Sequence, residues 1–75
     1  MVNKLLVTRD PDILGGTPVF TGTRVPVQTL LDYLAEGDAL DVFLDDFPTV
    51  SRVYALAVLE FAKQLLVLQT YAYSA

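Results

Sequence analysis

Apolar positions follow two different spacings along this chain, and the change divides it near residue 25. Before that point they occur in short runs broken by turn residues. Lys4–Thr8 and Val19-Phe20 are β-prone, and Arg24-Val25 is a third candidate. Asp10-Pro11-Asp12 lies after the first run, where aspartate serves the turn through hydrogen bonds to its own backbone. Gly15-Gly16 with Pro18 permits a tight reversal, and Thr21-Gly22 permits another. Strands this short need cover from helices or from another subunit.

From Pro26 onward the spacing is helical. Pro26 suits the first position of a helix, and Val27, Leu30, Leu31 and Leu34 follow at i, i+3, i+4 and i+7. Gly37 stops that helix, and Asp38 is the expected cap of the next. Leu40, Phe43, Leu44 and Phe47 repeat the pattern until Pro48. Ser51 then caps a third helix, which runs without Gly or Pro to Leu68 or beyond. The pattern predicts a mainly α fold. A β-containing arm (residues 1–25) precedes a three-helix region (residues 26–70), all within a single domain, 1–75. The unequal second and third helices, joined by a tight turn, have helix-turn-helix spacing, which a plain three-helix bundle shares.

The third helix is apolar nearly all round. At about 100° per residue, Arg52, Leu56, Leu59, Lys63, Leu66, Val67 and Thr70 share one sector. Val53, Tyr54, Ala57, Val58, Phe61, Ala62, Leu65 and Leu68 fill the rest. No charge follows Lys63, while Tyr71 and Tyr73 add rings of a kind enriched at interfaces. A helix of this character is normally buried on more than one side. We therefore expect Leu65, Leu66, Leu68, Tyr71 and Tyr73 to form a partner-binding surface.

Composition narrows the function. The 75 residues are 53% hydrophobic and 19% charged, so a domain of this size carries more apolar surface than one core can hide. A homodimer or larger assembly is expected, with strands near Leu5 to Val7 exchanged or paired between subunits. With no Cys and no His, the chain lacks thiolate and imidazole metal ligands, a thiol nucleophile and the usual proton shuttle. Asp45 and Asp46 point about 100° apart on a helix and cannot jointly hold a metal or share a proton without help from other residues. Gly15-Gly16-Thr17-Pro18 lacks the Lys-Ser/Thr ending of a phosphate loop. No catalytic residue, metal or cofactor is expected. Nothing resembles a signal peptide or membrane anchor, which gives a cytoplasmic expectation. The net charge of −4 argues against non-specific nucleic-acid binding, so any DNA contact must come from a local patch.

The run Asp10-Pro11-Asp12-Ile13-Leu14-Gly15-Gly16-Thr17-Pro18-Val19-Phe20-Thr21-Gly22-Thr23-Arg24-Val25-Pro26-Val27 resembles the opening of the domain-of-unknown-function 433 family. Gly37, Asp45-Asp46-Phe47-Pro48, Ser51, Ala57 and Ala62 extend the resemblance, which covers about Lys4 to Lys63. It implies a β-containing arm followed by a helix-turn-helix of the winged or homeodomain-like type. It also implies an antitoxin-like role similar to the VapB kind: a dimer that binds and silences a PIN-like ribonuclease toxin and binds its own promoter. Within the third helix Ser51, Arg52 and Lys63 are the DNA-binding candidates. Leu56 and Leu59, which share their sector, cannot read hydrogen-bonding base edges. Family members commonly carry acidic or polar residues after the third cap, where this chain has Arg52, Val53 and Tyr54. A stand-alone transcription regulator and a structural oligomerisation module are the alternatives. Arg24, between turn and helix, is expected to hold the arm through backbone carbonyls or through Asp32 or Asp46.

Overall fold

The computed structural model describes the backbone of residues 5–73 and side chains as far as residue 69. Two two-residue strands, β1 (Val7–Thr8) and β2 (Val19–Phe20), precede three helices, α1 (Val27–Ala35), α2 (Leu40–Asp46) and α3 (Arg52–Tyr73). The strands pair antiparallel, Val7 opposite Phe20 and Thr8 opposite Val19. The fold is thus mainly helical with a small sheet in the amino-terminal arm, as the pattern predicts.

Between the strands Asp10 accepts a hydrogen bond from the Asp12 amide at 2.9 Å. A short 3-10 turn, Leu14–Gly16, then takes the place of a bare reversal. Leu14 (φ 51°) and both glycines (φ 66° and 93°) sit in the left-handed region, which glycine tolerates at little steric cost. The Arg9 Nε donates to the Gly16 carbonyl at 2.8 Å and ties the turn to the end of β1. Arg24-Val25 does not become a strand. The chain makes one isolated bridge, Val19 to Pro26, because proline has no N–H with which to continue a ladder.

Pro26 stands one position outside the first helix, as its cap, with an extended ψ of 139° instead of a helical one. The helix ends as expected, with Gly37 at φ 95° and the amides of Gly37 and Asp38 returning to the carbonyls of Leu34 and Tyr33. The cap of α2 is Ala39 rather than Asp38, and no side chain caps it. Asp38 is spent on the exit of α1, so the helix starts one residue later. Ser51 does cap α3, accepting the Tyr54 amide at 3.1 Å.

The core joins arm and helices. Val19 and Phe20 of β2, Val25, Leu30 of α1, Phe43 of α2, Val50, and Ala55 and Val58 of α3 are buried. Phe43 is the centre of an aromatic cluster, with ring centroids 5.1 Å from Phe47, 5.5 Å from Tyr33 and 6.1 Å from Phe20. Leu31, assigned by its spacing to the buried face of α1, is instead exposed.

Candidate protein-binding surface

α3 is 22 residues long, about 33 Å of helix at 1.5 Å per residue. Only its first half lies on the body. Ala55 and Val58 are fully or nearly buried, Leu59 and Ala62 are half-buried, and every residue from Lys63 to Gln69 is exposed. Ala55 belongs to the buried core, and its small side chain lets the helix come near. Beyond Ala62 the helix overhangs.

The overhang is apolar. Leu65 is 52% exposed, Leu66 64% and Leu68 63%, and Val67 between them is also exposed. Consecutive residues point about 100° apart, so these four side chains surround the helix. The structure therefore brings the predicted partner-binding residues Leu65, Leu66 and Leu68 onto one exposed stretch of helix. The backbone of Tyr71 and Tyr73 continues α3, and their side chains lie outside the described residues.

Two exposed apolar residues of α3 carried no special expectation. Phe61, placed by sequence among the side chains that face away from Lys63, is half exposed and lines a shallow apolar groove with Leu5, Leu6 and Val7 of the arm. Val53 is 74% exposed at the other end of the helix. The signal for Phe61 was its spacing of four and seven residues from Leu65 and Leu68.

The DNA-binding candidates are engaged within the protein. The Ser51 hydroxyl caps α3. The Arg52 guanidinium pairs with Asp41 of α2, joining the starts of two helices. The Lys63 Nζ lies 3.0 Å from Glu60, three residues back on the same helix. That hydrogen bond and charge hold the Glu60 carboxyl below the usual range, against a smaller opposing effect of desolvation. Arg24 does not tie the arm down. It is exposed and makes no hydrogen bond or ion pair among the described residues, and Asp46, one of its expected partners, accepts from Tyr33 instead. Arg9, the β1–β2 pairing and the Thr21 hydroxyl, which donates to the Leu5 carbonyl at 2.7 Å, tie the arm to itself, and Phe20 and Val25 join it to the helices through the core.

Among the described residues no group of carboxylates is placed to hold a metal ion, and no helix is long and apolar enough to cross a membrane.

Residues 7–62 match the family described as "Protein of unknown function (DUF433)". The chain belongs to that family. The match ends at Ala62, where α3 leaves the body. A crystal structure of a DUF433 member from Anabaena variabilis is similar, with a TM-score of 0.66 and 25% sequence identity over 79% of this chain. A stretch of 45 residues is 47% identical to the uncharacterized protein y4eO of Sinorhizobium fredii and covers 60% of this chain. The chain spans only part of each relative, 58% of the Anabaena chain and 20% of the Sinorhizobium protein.

Proposed function

We propose that this DUF433 protein is a non-catalytic, antitoxin-like binding module whose carboxyl-terminal half of α3 docks on a protein partner, a PIN-like ribonuclease being the partner that the family resemblance suggests. The observation that carries the reading is the overhang. Leu65, Leu66, Val67 and Leu68 stand exposed on every side of a helix with no charge after Lys63. Burial of an uncharged helix requires no unpaired ion to be desolvated, and an apolar helix in a groove is a recurrent mode of recognition. The cost of leaving it in water is on the order of 25 cal/mol for each Å² of apolar surface, which a partner would recover.

Promoter binding has less support. Ser51, Arg52 and Lys63 already serve as a cap and in two ion pairs, and the net charge of −4 opposes a phosphate backbone.

The test is a nuclease assay on the PIN-like protein encoded in the neighbouring reading frame, with and without an equimolar amount of this chain. Inhibition that titrates to a fixed stoichiometry is expected. Undiminished cleavage with no complex on gel filtration, or a neighbourhood that encodes no such nuclease, would reject the antitoxin reading.

A further inference from the structure

We draw no further inference here: the strongest candidate, the acidic surface patch of α1, α2 and the turn between them, where Asp32, Glu36, Asp38, Asp41, Asp45 and Asp46 are all exposed, carries none, because among the described residues no second feature points to a ligand and nothing shows what covers it.

Discussion

The Tyr33 hydroxyl donates a 2.6 Å hydrogen bond to Asp46, closing the end of α1 against the end of α2. The same ring stands edge-on to Phe43 and Phe47, with centroids 5.5 and 5.8 Å away. One side chain therefore couples the aromatic core to the acidic rim. The hydrogen bond to Asp46 raises the Tyr33 pKa, helped by partial burial and by the charges of Asp46, Asp38 and Glu36.

A group whose folded pKa is raised contributes stability that is present below its unfolded pKa and lost as pH rises through the folded value. The Tyr33 contact should therefore be intact through neutral pH and fail above the ordinary tyrosine range near pH 10. Ultraviolet titration of the phenols should show a component above that range, and Tyr33→Phe should remove it. A late component that survives in Tyr33→Phe would refute the assignment.

Glu60 behaves with the opposite sign. Lys63 lowers its pKa, so the stability it contributes is present above the ordinary carboxylate range and is lost as pH falls through the lowered value. Both groups are exposed, so the effect on global stability is small. NMR titration of the Glu60 carboxyl should give a lowered midpoint that returns toward normal in Lys63→Gln.

Ser51→Ala removes the cap of α3 and should cost about 1 kcal/mol in denaturant unfolding, with Ser51→Asp retaining most of it. Arg24→Ala should leave stability within about 0.5 kcal/mol of wild type, since Arg24 is exposed and makes no contact that the fold depends on. A loss of 2 kcal/mol at Arg24 would mean that it anchors the arm after all.

The helices were legible because their signals are local. Leu30 and Phe43 fall where the i, i+3, i+4 spacing puts them, Gly37 ends α1, and Ser51 begins α3. Pro26 and Asp38 were misplaced by one position, because each can serve either side of a helix boundary and only the neighbouring backbone decides. The positive φ of Leu14 was not legible, since a leucine gives no signal for the left-handed region, and the pairing of Arg52 with Asp41 was not legible, since it depends on how the starts of α2 and α3 meet. The same holds for Arg24, whose expected carboxylate Asp46 was claimed by Tyr33. The partner surface was half visible. The loss of charge after Lys63 pointed to it, but only the end of the core at Val58 and Ala62 shows where α3 stops being body and starts to overhang.

If the overhang is the docking element, an aromatic anchor within it should dominate its energetics. Tyr71→Ala is expected to weaken association with the partner by about 2 kcal/mol, close to 30-fold in dissociation constant, without lowering the melting temperature of the free protein. Isothermal titration calorimetry with the partner checks this.

The most direct test of the account is co-purification of the neighbouring-frame nuclease with the full chain and with a chain ending at Lys63, whose fold is verified by its circular dichroism and cooperative melting. Among the described residues every buried one lies upstream of Lys63, so the shortened chain should fold. It should fold and release the nuclease, while the full chain retains it. A shortened chain that folds and still holds the nuclease, or that cannot fold at all, would contradict the assignment of partner recognition to the overhanging half of α3.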